Sequence, residues 1–442
     1  MPPRYLAVPV NGPVHACNPG IPGSTAPLRG IALANDGRVL GEADCGSTTG
    51  GSLPFVTFPD GLDEIYSRGT FDFAEPAGFL SDGRILMVGD WCPPVSGPCT
   101  SALAIGRPLA LDPVVLASSA SAVPVVTGTQ ELGWAVGWGP ITASGGWRLR
   151  AEGSLEALTV AKGSAVTPEG VSPTGVAAGH AYQGALPVAV RWSAASSAGA
   201  VLAPLEPFAA SRAHGVGDDG SAIGESAGRA VWWYFPSGPS ALLPAGSASV
   251  ATHMAGNPAA ANPLGFAIFG THANGTRLFR ANAPLGPSSW SDLMPIDGSA
   301  QIAQIEVVAA PRPDLMVARG LTPLYQPVGF VWTLGDQLRR LDSVVVNPPE
   351  TPQGQPVLPL VAVDANASRT ILAEHGFGGR PYLLHLLGPG DVDGDGAVNG
   401  ADLAQLLDNW GTVPAGRRDA ADFDGNGAVN GGDLSVLLSN WS

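Results

Sequence analysis

The sequence predicts an all-β fold, a β-propeller of seven or eight blades, with a small α-helical module at the carboxyl end. Three observations lead to this prediction. A loose repeat of short apolar strands recurs at steps of 42 to 55 residues along most of the chain. Asp-Gly and Asn-Gly turns beside β-branched or aromatic runs are typical of hairpins. Helical periodicity is clear only in two leucine-rich segments near the carboxyl end.

Each repeat begins with a turn and a small apolar strand that ends at a glycine or its substitute. These anchors lie at positions 41, 89, 137, 179, 224, 270, 318 and 373. A second apolar strand follows each anchor, as in PVAVRW (187–192) and RAVWWY (229–234). A period in the forties that supplies several short strands is what a propeller blade requires. We expect the glycine where strands crowd together and a side chain does not fit.

The blades must stack in a ring, because a single blade cannot bury its apolar surface alone. The segment RYLAVPV (4–10) has the pattern of a strand and is expected to complete the last blade from the amino-terminal end. The propeller is expected over residues 1–388 and the module over 389–442. The alternative architecture is a pair of two-sheet sandwiches, for which a period near 47 residues would be accidental.

In its pattern, although not in its letters, the repeat resembles the extracellular HAF-type repeat family over most of residues 30–387. That resemblance implies a secreted or surface protein with a propeller-like fold and no defined reaction.

Charge excludes two classes of partner. The formal net charge is −15, and Lys162 is the one lysine. Nucleic acid and anionic membrane surfaces both require a basic face, so neither is expected to bind. No apolar run of ~20 residues, the length that spans a membrane, is present.

The four cysteines indicate an oxidising compartment. Their even number and the absence of a CxxC motif favour disulfides, with Cys92–Cys99 as a local bridge and Cys17–Cys45 as the second. Four free buried thiols are the alternative, and the spacing does not fit a zinc site. We therefore expect an extracellular or cell-surface location. No signal peptide is visible, which a start site placed too far downstream or a removed leader would explain.

Polar or large residues follow the first five anchors, and equivalent blades would place them in a ring about the axis. They are Glu42, Asp90, Trp138, His180 and Glu225. Paired carboxylates could act on a glycosidic bond, so the catalytic candidates are Glu42, Asp90, His180 and Glu225. The alternative is that strand ends simply meet solvent. No HExxH or phosphate-binding loop motif is present. The letters GxSxG occur once, in GESAG (224–228), where the repeat predicts a hairpin and not the strand-to-helix turn of a nucleophile elbow.

Tryptophans could stack on sugar rings, although strand positions also suit the blade core. The candidates are Trp138, Trp147, Trp192, Trp232 and Trp233.

Two acidic loops near the carboxyl end follow the pattern D-x-D-x-D-G-x-x-N-x-x-D, with Asn at the third ligand position of the second loop. Calcium takes six to eight oxygen ligands, and this spacing supplies them from positions 1, 3, 5, 7, 9 and 12. The first set is Asp391, Asp393, Asp395, Ala397 (through its carbonyl), Asn399 and Asp402. The second set is Asp422, Asp424, Asn426, Ala428 (through its carbonyl), Asn430 and Asp433. We expect two calcium ions, with tighter binding at the first loop, which has four carboxylates against three.

Each loop opens a helix with an apolar stripe at i, i+3, i+4 and i+7. The stripes are Leu403, Leu406, Leu407 and Trp410, and Leu434, Leu437, Leu438 and Trp441. We expect the two stripes to pack face to face. Position 12 lies at the helix start, where a carboxylate also interacts favourably with the helix dipole.

Residues 390–442 resemble a type I dockerin, which has two loop–helix calcium repeats with Asp at position 12. The resemblance implies binding to a cohesin module, and most proteins with such modules are enzymes that degrade plant polysaccharides. Positions 10 and 11, where cellulosomal dockerins often carry Ser-Thr, are Gly400-Ala401 and Gly431-Gly432 here.

Two functions are compatible with the sequence. The first, which we favour because the body lacks a catalytic motif, is a secreted binding protein with a calcium-stabilised attachment module, associated with extracellular polysaccharide breakdown. It would bind a cohesin-like or other surface protein through the module and a carbohydrate through the body. The second is an extracellular carbohydrate-active hydrolase or lyase with its site on the propeller axis.

Overall fold

The computed structural model describes most of the chain. The described residues are 3–10, 28–44, 52–59, 63–66, 71–80, 83–92, 98–107, 113–130, 133–161, 164–235, 237–256, 266–272, 274–282, 290–293, 302–335, 337–346, 348, 357, 359–376, 379–413 and 419–441.

Eight sheets form the body, and each is one blade. The chain begins with β1 (Tyr5–Pro9). Blade 1 consists of β2 (Leu28–Leu33), β3 (Val39–Asp44), β4 (Ser52–Thr57) and β5 (Asp63–Ile65). Blade 2 consists of β6 (Phe71–Phe79), β7 (Ile85–Trp91), β8 (Thr100–Gly106) and β9 (Val114–Ser119). Blade 3 consists of β10 (Val125–Thr129), β11 (Ala135–Trp138), β12 (Gly146–Leu149) and β13 (Leu155–Ala157).

Blade 4 contains five strands, β14 (Thr159–Val160), β15 (Val166–Val171), β16 (Ala177–Gln183), β17 (Leu186–Trp192) and β18 (Ala198–Val201). Blade 5 consists of β19 (Ser211–Val216), β20 (Ala222–Ser226), β21 (Arg229–Tyr234) and β22 (Gly238–Ala241). Blade 6 consists of β23 (Ser249–Gly256), β24 (Phe266–His272), β25 (Leu278–Asn282) and β26 (Trp290–Leu293). Blade 7 consists of β27 (Gln304–Arg312), β28 (Leu315–Leu321), β29 (Pro327–Thr333) and β30 (Arg339–Arg340).

The last blade closes the ring. Blade 8 contains β31 (Val345–Val346), β32 (Leu360–Ala365), β33 (Ile371–His375) and β34 (Pro381–Leu386), and β1 joins it as a fifth strand. β1 pairs antiparallel with β34, from Tyr5 opposite Leu386 to Pro9 opposite Tyr382. Across the eight sheets, strands pair antiparallel except for β14 with β18 and β1 with β31, which are parallel. The amino-terminal segment thus supplies the fifth strand of the last blade, and the blade number is eight.

One strand of each blade, which we call the axial strand, lines the axis: β2, β6, β10, β15, β19, β23, β27 and β32. Each axial strand contacts the axial strand of the next blade all the way round, and β32 contacts β2 to complete the circle. The apolar clusters lie between adjacent blades. Leu40 and Val56 of blade 1, for example, pack with Ile85 and Met87 of blade 2. Each blade therefore buries both faces against its neighbours, which excludes the sandwich alternative.

The repeated glycine is explained by a β-bulge on every axial strand. The bulge lies opposite the anchor, and it brings a carbonyl oxygen of the axial strand close to the anchor Cα. A Cβ at Gly137 would lie 2.0 Å from the Val125 oxygen, and one at Gly224 would lie 2.0 Å from the Arg212 oxygen. A side chain is thus excluded at these glycine anchors, as the sequence predicts, whereas blades 7 and 8 have Ala318 and Ala373 at the same position.

Blade 2 departs from the predicted anchors. Its bulge lies between Pro76 and Gly78, opposite Met87 and Leu86, so Met87 occupies the anchor position and Gly89 lies two residues farther along β7. The repeat pattern alone cannot detect this shift, because β6 contains a second irregularity between Phe71 and Phe73.

Cys92 and Cys99 form the predicted local disulfide, with Cα atoms 4.2 Å apart. Cys17 and Cys45 lie outside the described residues. Among the helices that the structure describes, none has the length and apolar character needed to span a bilayer.

Candidate functional site

The carboxyl-terminal module contains two loop–helix units. The helices are α1 (Gly400–Asp408) and α2 (Gly431–Ser439), and a short pairing of β35 (Gly411–Thr412) with β36 (Ala428–Val429) connects the units. Both helices begin at an asparagine whose side-chain oxygen accepts an N–H of the first turn, Asn399 from Ala401 and Asn430 from Gly432, each at 2.8 Å. The sequence repeat is therefore matched by a structural repeat.

Two clusters of carboxylates lie in the loops. Ligand oxygens of Asp391, Asp393 and Asp395 lie within 4.8 Å of one another. Asp422, Asp424 and Asp433 form a second cluster by the same measure. Each loop turns sharply at its sixth position, where Gly396 and Gly427 have φ of +86° and +84°. Both clusters could hold a metal ion.

Position 12 of each loop is fully buried and hydrogen-bonded. Asp402 Oδ1 accepts the Val392 N–H at 2.7 Å, and its Oδ2 accepts the Asn399 N–H at 2.8 Å. Asp433 makes the same bonds with Phe423, at 2.7 Å, and Asn430, at 2.9 Å. These bonds complete a capping box at each helix start. The Oδ1 of each aspartate also accepts a second, longer N–H, from Asp393 and from Asp424, each at 3.4 Å. Each Oδ2 retains a second lone pair, so capping does not prevent ligation through that oxygen.

Like charges crowd in both loops. Burial raises the pKa of Asp391 above its ordinary value, and the Asp402 and Asp393 carboxylates add to the effect. Burial likewise raises the pKa of Asp422, and Asp433 adds to it. A cation would relieve this repulsion, and an all-oxygen donor set at this spacing fits a hard divalent ion such as Ca²⁺.

The predicted face-to-face packing of the helices is only half right. Leu406 and Leu437 are fully buried, but the outer edge of each stripe faces solvent. The exposed fractions are 52% for Leu407, 49% for Trp410, 55% for Leu438 and 45% for Trp441. We call these four residues the module's apolar edge. The first unit and the second unit contribute to it equally.

The inner side of the module packs on the closing blade. Val392 and Phe423 share one apolar cluster with Leu387 and Val346 of the propeller, and Leu6 of β1 packs against it. The Arg4 Nη2 donates to the carbonyl of Ala420. The module therefore rests directly against the strand that closes the ring.

The axial residues fall into several environments. Glu374, which follows the anchor of blade 8, accepts the Gly30 N–H of blade 1 at 2.7 Å and so links two blades. Glu42 occupies the same register position on blade 1. The residue of blade 2 that corresponds to Gly30 is Pro76, which has no N–H to donate to Glu42. The Glu42 Oε2 is buried and has no hydrogen-bond partner among the described residues.

His180 lies in a polar network that the sequence did not reveal in full. Its Nδ1 lies 2.8 Å from Oε1 of Glu169, and the other oxygen of Glu169 contacts Nδ1 of His214 on blade 5. Burial tends to raise the pKa of Glu169, but the hydrogen bonds with His180 and His214 outweigh it and lower the pKa to about 2. Glu169 was missed because it is a bulge residue, between Pro168 and Gly170. A glycine inside a strand was the signal that could have shown it.

The remaining catalytic candidates lie apart from each other. Glu225 forms an ion pair with Arg212, with Nη1 and Oε1 2.7 Å apart, and Arg212 also interacts electrostatically with Tyr182 of blade 4. Glu225 and His180 thus belong to neighbouring parts of one polar region. Asp90 lies two residues beyond the register position of Glu42 and accepts the Ser101 hydroxyl at 3.0 Å.

The five candidate tryptophans differ in how much of their surface is exposed to solvent. Trp147 and Trp192 have no exposed surface, and 2% of Trp233 is exposed, while Trp232 is half-buried. Trp138 is 43% exposed at its position after the blade 3 anchor.

The two ends of the channel differ. At the end where turns join the first and second strands, a cavity of about 670 Å³ is lined by residues of several blades. Its polar groups bond within the protein. Gln130 Nε2 donates to the Val171 carbonyl at 2.9 Å, and Asp364 Oδ2 accepts the Leu33 N–H at 2.8 Å. The charged region around Glu169 lies toward the opposite end.

Comparison with known proteins identifies the module. Residues 389–440 match the family model of the dockerin type I domain. No curated protein matches the chain.

Solved structures with a similar fold include a prolyl endopeptidase, with 8% identity, coverage of 82% of this chain and 54% of that chain, and a TM-score of 0.45. This chain thus spans about half the length of that enzyme. YCF48 bound to D1 peptide has 11% identity, coverage of 87% and 96%, and a TM-score of 0.35. The α-L-arabinofuranosidase Arb93A from Fusarium graminearum has 10% identity, coverage of 76% and 98%, and a TM-score of 0.32. At these scores the likenesses carry no conclusion about activity. The chain therefore carries a type I dockerin domain at its carboxyl end, after an eight-bladed β-propeller.

Proposed function

We propose that the protein is a secreted or cell-surface binding protein, whose propeller binds a ligand and whose dockerin domain attaches it to a cohesin-like partner. The apolar edge carries this proposal. It leaves two leucines and two tryptophans exposed on a module whose other face is already packed on the propeller. At each helix end the exposed leucine and tryptophan are three residues apart, and exposed apolar surface of this kind is typical of protein–protein contact sites.

Calcium has a structural role in this proposal. The twelve ligands predicted from the sequence would hold two ions, and the ions would fix both loops and with them the helix starts. The repeated hydrogen bonds of Asp402 and Asp433 support this, because both units then respond to the metal in the same way. A folded pair of helices is what presents the apolar edge.

The partner would recognise shape and apolar surface. Gly400-Ala401 and Gly431-Gly432 at the helix starts have no hydroxyl to donate. The tryptophans of the apolar edge can bury a large area and donate one indole N–H each. A cohesin that depends on dockerin hydroxyls should therefore bind weakly, and one with an apolar face should bind well.

The test is calorimetric titration of the full chain, in calcium, with a panel of type I cohesin modules. We expect at least one to bind, and the variant with Leu407→Asp and Leu438→Asp to lose that binding. Leu324→Asp is the matched control, since Leu324 is 79% exposed but lies on the propeller. No binding across the panel, or equal binding by the double variant, would contradict the proposal.

A carbohydrate-active enzyme is the second candidate, and the Glu169 network favours it over a purely structural channel. The residues do not fit the two-carboxylate mechanism of glycoside hydrolysis, which needs one protonated carboxylic acid. Glu169 is ionised and Glu225 is paired with Arg212. Histidine would have to serve as the acid or base, as in a lyase. Turnover of plant and algal polysaccharides by the full chain, lost in His180→Gln and Glu225→Gln, would support it.

The HAF-type relationship of the propeller also remains part of this proposal. It rests on the strand patterns PVAVRW and RAVWWY, which form β17 and β21 of the structure. An extracellular location follows from it and from the dockerin domain.

A further inference from the structure

Five asparagines of the chain precede a glycine: Asn11, Asn274, Asn399, Asn426 and Asn430. An asparagine in this sequence can lose its side-chain amide, because the backbone nitrogen of the next residue attacks the side-chain Cγ. Glycine leaves that nitrogen unhindered, since it has no Cβ. Asn11 lies outside the described residues, and Asn399, Asn426 and Asn430 lie in the acidic loops of the dockerin domain. The contacts of the two nitrogens involved decide which of these asparagines can react.

The leaving nitrogen, Nδ2 of the asparagine, is held at two of the four described sites. The Asn426 Nδ2 donates to Oδ2 of Asp424 at 2.8 Å. The Asn430 Nδ2 donates to the Ala428 carbonyl at 2.9 Å. Each of these bonds fixes the orientation of the amide and must break before ammonia can leave, which disfavours the reaction at both sites.

The attacking nitrogen is also held at two sites. The glycine N–H after Asn274 donates to the His272 carbonyl at 2.8 Å. The glycine N–H after Asn426 donates to Oδ2 of Asp422 at 3.0 Å. A nitrogen that is hydrogen-bonded in this way has to leave its acceptor before it can approach Cγ.

Neither nitrogen is held at Asn399. Its Oδ1 accepts the Ala401 N–H, and since an N–H cannot donate to the amide nitrogen, this bond fixes which end of the amide is Nδ2. The Nδ2 has no hydrogen-bond partner in the part of the chain that the structure describes. The Gly400 N–H is the first of α1, where no carbonyl of the helix can accept it, and it also has no described partner. Among the described sites, Asn399 is therefore the one at which both nitrogens are free to react.

We propose that Asn399 is a deamidation site that calcium protects. The Gly400 nitrogen forms a bond to Cγ of Asn399, the bond from Cγ to Nδ2 breaks, and ammonia leaves with the proton of the Gly400 N–H. Water then opens the cyclic imide. Attack of water at the side-chain carbonyl gives aspartate, and attack at the backbone carbonyl gives isoaspartate, in which the main chain passes through the side chain. The net reaction consumes one water and releases one ammonia.

Isoaspartate adds one carbon to the main chain between positions 9 and 10 of the first loop. Asn399 then no longer caps α1, and Asp402 is displaced relative to the ligands that precede it. When calcium is bound, it would hold the Asn399 side chain at position 9 and so oppose the attack. A short loss of calcium is thus reversible, whereas a long one permanently removes the first site. The inference rests on the calcium binding of the proposed function and adds a limit on how long the domain survives without the ion.

The experiment is incubation of the full chain at mildly alkaline pH, with calcium and with chelator, followed by peptide mapping in a mass spectrometer and enzymatic methylation of isoaspartate. We expect Asn399 to be converted at least tenfold faster with chelator than with calcium. In chelator it should also be converted at least tenfold faster than Asn274, Asn426 and Asn430. Equal rates at the four asparagines, or a rate at Asn399 that calcium does not change, would overturn the inference.

Gly400→Ala adds a Cβ beside the attacking nitrogen, at a position where the Cβ finds open space. It should slow the conversion of Asn399 tenfold or more, and an unchanged rate would overturn the inference. Gly431→Ala is the matched control, because it makes the same change at the start of α2, also into open space, and should leave that rate unchanged. Calcium titration of the same chain shows separately whether the first loop binds the ion. None of these measurements uses a cohesin, so the inference can fail while the attachment proposal stands.

Discussion

The Arg4 guanidinium lies over the ring of Phe423, with 4.8 Å between its central carbon and the ring centroid. Arg4 immediately precedes the strand that closes the propeller, and Phe423 lies inside the second acidic loop of the dockerin domain. The backbone carbonyl of Arg4 also accepts the Leu387 N–H at 2.8 Å. One residue therefore connects ring closure with the fold of the second loop.

This contact predicts that calcium stabilises the propeller as well as the dockerin domain. Binding fixes the second loop, and the fixed loop holds Arg4 and with it β1 against β34. Arg4→Ala should lower the free energy of unfolding by about 1–2 kcal/mol, through the lost cation–π contact and hydrogen bond. It should also reduce the increase in melting temperature that calcium produces.

The measurement is thermal unfolding of the full chain by circular dichroism in the β-sheet region, with calcium and with chelator. Arg107→Ala, a change of an exposed arginine on blade 2, is the control and should leave the calcium effect intact. A β-sheet transition at the same temperature with and without calcium would refute the coupling.

Asp402 is predicted to matter twice, as a calcium ligand and as part of the helix cap. Asp402→Ala should weaken calcium binding at the first loop and cost about 1 kcal/mol of stability even without calcium, because its capping bonds are lost. Asp408→Ala removes a carboxylate from the other end of the same helix and should do neither. Calcium titration calorimetry and urea unfolding separate the two effects, and unchanged affinity in Asp402→Ala would show that position 12 is not a ligand.

Glu374 and Glu42 should respond oppositely to loss of charge, although they share a register position. Glu374→Leu leaves the buried Gly30 N–H without its acceptor and should cost about 1–3 kcal/mol. Glu42→Leu removes a buried oxygen that has no partner in the part of the chain that the structure describes, and it should leave the free energy of unfolding unchanged or raise it. Urea unfolding measures the free energy of unfolding of both variants. An equal loss of stability in the two would contradict the explanation that Pro76 deprives Glu42 of a hydrogen-bond donor.

The pKa of Glu169 predicts a pH dependence of stability. Its folded value of about 2 lies below its ordinary value of 4.5, so its contribution is present above pH 4.5 and is lost as the pH falls toward 2. The stability difference between the wild-type protein and Glu169→Gln should therefore be larger at pH 6 than at pH 3. Denaturant unfolding at the two pH values measures it, and an equal difference would argue that Glu169 is not held ionised by the histidines.

Much of the fold could be predicted from the sequence, because every blade repeat contains the same pattern of a turn followed by an anchor residue. Seven of the eight predicted anchors, from Gly41 to Ala373, lie opposite an axial bulge, and the closing strand was visible as an apolar run at the start. The predicted anchor of blade 2 is two residues away from the observed position, because the strand pattern of FDFAEPAGF does not show which of its two irregularities lies opposite the anchor.

The site was less accessible to sequence reasoning. Loop spacing was sufficient for the carboxylate clusters, because metal loops are local in sequence. The Glu169 network depends on a bulge and on a contact between blades 4 and 5. Glu169 and His214 are 45 residues apart in the sequence, and no local pattern predicts their contact. The apolar stripes were predicted as buried throughout. Periodicity identifies an apolar face but not what covers it, and here Leu407 and Trp410 remain uncovered.

The central claim is that two divalent ions organise the dockerin domain, and equilibrium dialysis of the full chain against calcium tests it most directly. The account predicts two calcium ions per chain at millimolar free calcium, and a loss of both in the double variant Asp391→Ala and Asp422→Ala. Uptake of no calcium by the wild-type chain, or undiminished uptake by the double variant, would contradict it.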